Sequence, residues 1–304
     1  MLNQLIGDYK SIIVAKAKNR KISKESSSGG IVTSVLLDLL KKKKIKGSLV
    51  VDMKKDMPWK YDIKIVKTKE GILSAAGSKY VKIPLNEYME KINSTKINIA
   101  VVGVPCLIRL IRNLQKKGKL KNVKYLIGLF CGYNMSPKAT ESLIKRLRIN
   151  KNEIKKIKYR GGKYPGGFYV LMKNGKEIKL PKYYYDFLNL MYVPDACLNC
   201  NDYMNEEADI SVGDAWGYDN SSVVIVRTKK GEEMIRTNSI DSFTIPKEKL
   251  LKMHMHNIKH KKEGDCIALI IIRNVLNKFG GFFPLKLLGG MARIRRAIIK
   301  DGKN

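Results

Sequence analysis

The chain has 304 residues, 44% apolar and 29% charged, which suits a folded protein of one or two domains and excludes wholesale disorder. Lys and Arg number 60 against 27 Asp and Glu, a net charge of +33. That excess is Lys-dominated, touches nearly every segment and forms no basic stripe interleaved with aromatics, so no nucleic-acid interface is expected.

Residues 11–17 are apolar inside basic flanks and read as a strand or a short helix. A Ser-Ser-Ser-Gly-Gly run at 26–30 then precedes helical spacing over 31–40, with Ser28 as expected N-cap and Lys41 to Lys44 at the C-terminal end, where a helix favours cations. Strands are expected at 48–53 and 63–68, and helices at 70–76 and 85–92. Residues 97–103 form a β-rich run of the kind buried on both faces, followed by a helix at 107–117. A second buried strand is expected over 125–130, then a helix over 136–147.

The alternation of strand and helix argues for an α/β sheet covered by helices. The second half changes character. Residues 155–160, 168–172 and 177–180 read as antiparallel strands with Gly turns, while 208–213 and 223–228 return to buried-strand pattern. Beyond residue 245 the chain is basic and helical, with an amphipathic stretch at 285–299. The expected fold is therefore α/β: a mixed sheet with flanking helices, an antiparallel β insertion and a basic helical C-terminal extension. The expected division is 1–245 and 246–304.

The first residues hold no apolar run of the signal-peptide kind, and the longest apolar runs, 97–104 and 266–272, fall short of the roughly 18 residues that span a bilayer. A cytoplasmic location without a transmembrane segment is expected. There, five cysteines point to free thiols, catalytic groups or metal ligands rather than disulfides.

The cysteines carry the strongest chemical signal. Cys197 and Cys200 form a C-x-x-C pair, and Cys106 and Cys131 each follow a buried strand of consecutive βα units. Parallel strand ends converge on one edge of a sheet, where α/β proteins place their sites. Four thiolates hold a [4Fe-4S] cluster or a structural zinc; the bland alternative is inert core thiols. Cys266, in an apolar run, reads as core.

Other signals are weaker singly. Ser28, Gly29 and Gly30 before a helix suit phosphate binding, or an ordinary cap. Gly77-Ser78-Lys79-Tyr80 reads as a C-cap turn or a loop aiming Lys79 at an anion. Asp214, ending the 208–213 strand, reads as a ligand-orienting acid or a loop cap, and Asp209, flanked by apolar residues, needs a buried partner. His254, His256 and His260 read as part of a solvated basic face; the i, i+4 spacing of His256 and His260 would also allow a metal pair on a helix.

Six elements in order carry a resemblance: Ser28-Gly29-Gly30-Ile31-Val32-Thr33, Ala75-Ala76-Gly77-Ser78-Lys79-Tyr80, Val102-Gly103-Val104-Pro105-Cys106, Gly128-Leu129-Phe130-Cys131, Cys197-Leu198-Asn199-Cys200 and Ala208 to Asp214. Over residues 26–235 the chain resembles the beta-subunit family of coenzyme F420 hydrogenases and dehydrogenases. The resemblance implies an iron–sulfur flavoprotein that binds FAD and a [4Fe-4S] cluster and exchanges a hydride with coenzyme F420, the flavin joining two-electron to one-electron chemistry. By motif, Cys106, Cys131, Cys197 and Cys200 are the implied cluster ligands. Ser28, Gly29, Gly30 and Thr33 are implied near a nucleotide cofactor, and Gly77, Ser78, Lys79 and Tyr80 near the flavin or deazaflavin. The cysteine-rich segment that many longer relatives carry has no counterpart here, which implies a redox partner protein or a directly bound substrate. The rival from another class is a basic, zinc-stapled binding protein.

Overall fold

In the computed structural model, which describes residues 5–181 and 188–262, residues Ser11–Ala17 form a strand, β1. Helices α1 (Arg20–Glu25) and α2 (Ile31–Lys41) follow, then strands β2 (Gly47–Met53) and β3 (Tyr61–Val66). Helices α3 (Lys69–Ser74) and α4 (Leu85–Asn93) lead to β4 (Ile99–Gly103), α5 (Pro105–Lys116), β5 (Val123–Leu129) and α6 (Lys138–Arg146). The second half holds β6 (Ile154–Gly161), β7 (Gly167–Met172), β8 (Glu177–Pro181), α7 (Asn189–Tyr192), α8 (Asp195–Leu198), β9 (Ile210–Asp214) and β10 (Ser222–Val226). It closes with α9 (Lys229–Ile235), β11 (Ile240–Thr244) and α10 (Lys247–Lys262).

Eight strands make one mixed sheet in the order β11-β1-β10-β9-β5-β4-β2-β3. Its middle, β2-β4-β5-β9, is parallel, and antiparallel strands complete both sides. Strands β6, β7 and β8 form a separate antiparallel sheet inside the long β5-to-β9 crossover. The expected mixed sheet, flanking helices and β insertion are all present. What local pattern does not give is partnership: β1 joins β10 and β11, more than two hundred residues away in the chain. Strand β11 itself escapes a pattern reading because four of its five residues are exposed.

Side-chain alternation divides the core between the two faces of the sheet. Leu49 and Val101 point into the cluster under α5, α6 and the small sheet, while their neighbours Val50 and Ala100 point into the cluster under α2. On β1, Ile13 and Ala15 join that second cluster, and Ile12 and Val14 a third, covered by Leu250, Leu251 and Ile258 of α10. The basic C-terminal region thus begins as a helix that closes part of the core. The amphipathic stretch at 285–299 and Cys266 lie outside the described residues.

One cap departs from expectation, and one buried charge meets it. The N-cap of α2 is Gly30, in the left-handed region at φ 74°, not Ser28. Ser28 lies too far back to reach the first turn, and its hydroxyl instead shares a 2.8 Å hydrogen bond with that of Ser222. Asp209 has the buried partner it needs: Arg112 donates to its Oδ1 at 3.0 Å, and the amide of Leu126 donates to Oδ2 at 2.8 Å.

Candidate functional site

Because β4, β5 and β9 run parallel, their C-terminal ends reach the same edge of the sheet, as expected for an α/β site. A cavity of about 1170 Å³ opens there, larger than the 300–1,000 Å³ typical of drug-sized ligands. The start of α2, the loop 77–80, the strand ends, the small sheet and α10 all contribute to its wall.

The two Ser/Gly loops meet in that wall. The backbone amide of Ser78 donates to Ser27 Oγ at 2.8 Å, tying the 26–30 loop to the 77–80 loop. Ser28, Gly30, Thr33, Gly77, Ser78, Lys79, Tyr80 and Asp214 all line the cavity. Gly29 does not. A Cβ there would lie 2.5 Å from the Ala15 carbonyl oxygen and 2.6 Å from the Ser222 nitrogen, so this glycine is demanded by packing against the sheet. No side chain caps α2, which leaves the amides of its first turn without a side-chain acceptor at the cavity wall.

Lys79 is not aimed into open space. Its ammonium donates to the carbonyls of Ala75 and, at 3.1 Å, Ala76, which close the end of α3. Burial pushes its pKa down to about 8. Asp214 is not a free acid either. Arg160 Nη1, from the small sheet, bonds both its oxygens at 2.7 and 2.8 Å, clamping that sheet to the end of β9.

The cysteines come from three separate segments. Cys106 sits in the first turn of α5, where Pro105 starts the helix and the dipole favours negative charge. Cys131 lies two residues beyond β5, and Cys197 and Cys200 follow on and after α8. Each of the other three thiols acts electrostatically on that of Cys131, and burial pushes the Cys131 thiol up to about 12. Burial also raises Cys197, against the opposing fields of Lys82 and Lys261. Of the four, only Cys131 borders the cavity. Among the described residues no three His, Cys, Asp or Glu side chains are gathered as a single metal ion requires.

Pattern reading misses the residues that hold this edge together. Asn205, in the left-handed region at φ 59°, donates through its amide to the carbonyls of Gly103 at 2.9 Å and Leu129 at 3.3 Å. It therefore joins the ends of β4 and β5, just before Cys106 and Cys131. The Cys131 amide donates to the Tyr203 carbonyl at 2.9 Å. His254 is 1% exposed, not part of a solvated face. Its Nε2 donates to the Asp214 carbonyl at 2.9 Å, which leaves Nδ1 to accept the Tyr203 hydroxyl at 3.0 Å. Burial lowers its pKa to about 4, so the ring is neutral. Asn205 offers one signal, its place five residues past the C-x-x-C. His254 and Lys261 offer none within a Lys-rich tail.

The donor set fits the implied groups. Four thiols with two lysines facing them match a Cys-ligated iron–sulfur cluster, whose thiolates bind separate irons rather than one point. For a flavin nucleotide the fit lies in the cavity's size, the uncapped start of α2 and open space at Gly132 and Gly162, where a Cβ would meet nothing within 4 Å.

Comparison with known proteins gives a consistent answer. The family model for the C-terminal part of the coenzyme F420 hydrogenase/dehydrogenase beta chain matches residues 97–248, and the model for its N-terminal part matches residues 12–90. The coenzyme F420-dependent sulfite reductase of Methanocaldococcus jannaschii is 31% identical over 228 residues, 69% of this chain and 34% of that protein. The chain thus spans about a third of that relative's length. The coenzyme F420 hydrogenase subunit beta of Methanococcus voltae is 30% identical over 239 residues, 75% of this chain and 81% of that one. A chain in the structure of the F420-reducing [NiFe] hydrogenase complex from Methanosarcina barkeri superposes with a TM-score of 0.68 at 26% identity, covering 85% of this chain and 91% of that chain.

Proposed function

The chain belongs to the coenzyme F420 hydrogenase/dehydrogenase beta-subunit family, and from that premise we propose that it is an F420-dependent oxidoreductase that carries FAD and a [4Fe-4S] cluster. The observation that carries the reading is the juxtaposition at one sheet edge: four cysteines from three segments share an electrostatic neighbourhood, and one of them, Cys131, borders a cavity of dinucleotide size. A flavin, when bound, links two-electron hydride exchange to one-electron transfer.

The chain's own residues then have distinct tasks. Cys106, Cys131, Cys197 and Cys200 supply the thiolates. The start of α2 offers unpaired amides to a phosphate, and Ser27 and Ser78 keep the two loops of the wall together. Arg160 and Asp214 fix the small sheet to the end of β9 at the cavity wall. No side chain here is needed as an acid or base, because hydride transfer depends on cofactor placement. Relatives named as subunits of F420 hydrogenases and dehydrogenases support a partner subunit as the electron donor or acceptor. No helix among the described residues is long and apolar enough to cross a membrane.

Anaerobic purification tests the reading. The expected protein is brown-yellow, with one flavin and about four irons per chain, and bleaches oxidised F420 when given a reductant. A colourless protein with one zinc overturns it in favour of a zinc-stapled binding protein, a rival that no observation here favours.

A further inference from the structure

Two cations face the cysteines, and neither belongs to a motif that marks the site. Lys82 is half-buried just past the 77–80 loop, with its Nζ 3.4 Å from Cys106 Sγ. Lys261 comes from a different element, the last turn of α10, and is 6% exposed. Its Nζ donates to the Cys197 carbonyl at 3.1 Å and stands 4.2 Å from the centre of the Tyr133 ring. Its field reaches the thiols of Cys131 and Cys197.

A buried ammonium costs free energy unless a counter-charge or a set of acceptors meets it. Among the described residues neither lysine forms a salt bridge with a carboxylate. The negative charge within reach of both is that of the cysteine sulfurs once they are thiolate ligands. The two amines therefore reach the cysteine edge from different elements, Lys82 at Cys106 from the loop after the cavity wall and Lys261 at Cys197 from the helix that closes the core.

We propose that Lys82 and Lys261 are the built-in counter-charges of the four-cysteine site, holding its thiolates and raising the reduction potential of the iron–sulfur cluster bound there. The inference rests on the proposed function. Reduction adds one electron to the cluster and changes no bond, so the reduced form is one charge more negative than the oxidised form. A fixed cation in a poorly solvated pocket stabilises the more negative form further. Lys261 also lines the cavity.

The experiment uses the full chain, reconstituted anaerobically with iron and sulfide, in the wild type and in the variants Lys82→Met, Lys261→Met, Lys82→Arg and Lys261→Arg. Iron per chain is measured first, then the midpoint potential by a redox titration followed by electron paramagnetic resonance. Each Met variant is expected to disfavour the reduced cluster about tenfold at fixed potential, a downward shift of about 59 mV for one electron, with Arg restoring most of it. A folded Met variant that takes up no iron, rescued by Arg, supports the holding role; failure of Arg to rescue overturns it. If Lys261→Met does not fold, Lys82→Met carries the test alone, because its side chain is only half-buried. Wild-type and Met midpoints that coincide, with iron retained, overturn this inference and leave the proposed function standing. A wild-type chain that takes up no iron overturns the proposed function and this inference with it.

Discussion

The cysteine edge and the Ser/Gly cradle lie side by side, yet they are built differently. In the cradle almost every marked residue has a packing task before any ligand is considered. Gly29 lets the chain pass against β1 and Ser222, Ser28 bonds Ser222, and Lys79 closes α3. At the edge the packing tasks are fewer: Cys197 joins a small apolar cluster with Val193 and Leu198, and Cys200 Sγ donates to the Asp202 carbonyl at 3.8 Å. The thiols are held close by Asn205, Tyr203 and α5, and Lys82 and Lys261 stand beside them, where thiolates would need a counter-charge. The glycine motif is thus explained by packing, whereas the proposed cluster role is what accounts for thiols arriving from three segments.

Substitutions can break that contrast. The largest effect is expected at Cys131→Ser, which should abolish iron retention and the visible cluster absorbance while leaving unfolding free energy within about 1 kcal/mol. Iron retained at the wild-type level would remove Cys131 from the ligand set. A sizeable stability effect, without loss of chemistry, is expected from His254, which braces both regions through Tyr203 and Asp214. Its pKa is about 4 folded and ordinary when unfolded, so the unfolded chain binds the extra proton between about pH 6.5 and 4. Stability should therefore be complete above about pH 6.5 and fall by about 3 kcal/mol as pH drops through that window. Denaturant titrations across pH measure this, and a His254→Gln variant should flatten the slope.

The cradle should respond in the opposite sense to the edge. Gly29→Ala forces a Cβ against two backbone atoms and is expected to cost about 2 kcal/mol or more, with unchanged flavin content per folded molecule. Loss of flavin without loss of stability would assign Gly29 to the ligand instead. The smallest effect concerns the charge. Lys163 and Lys179 line the cavity and are exposed, so they are placed to attract the anionic tail of F420. The association rate of F420 should fall as salt rises, and a flat response would separate the +33 from this site.

Much of this is legible in the chain itself. The buried strands 97–103 and 125–130 and the helices after them follow from β-branched runs and helical spacing, and they place Cys106 and Cys131 at equivalent strand ends. The six ordered elements carry the family, and family matching extends the matched region outward to residues 12 and 248. Ser28 reads as a cap because a serine next to a helix and a serine three residues early look alike until φ at Gly30 is known.

By itself, then, the sequence determined most of the strands and helices, though not β11, and where the thiols and glycines sit, and the family. Those properties are local: they depend on propensity, spacing and order along the chain. Only the tertiary structure decided that β1 pairs with β10 and β11, that Arg160 neutralises Asp214, that Asn205 ties two strand ends, and that His254 and Lys261 leave a basic tail to enter the core. Each of these joins residues distant in the chain, and a lysine that will be buried is written with the same letter as the dozens that stay in water.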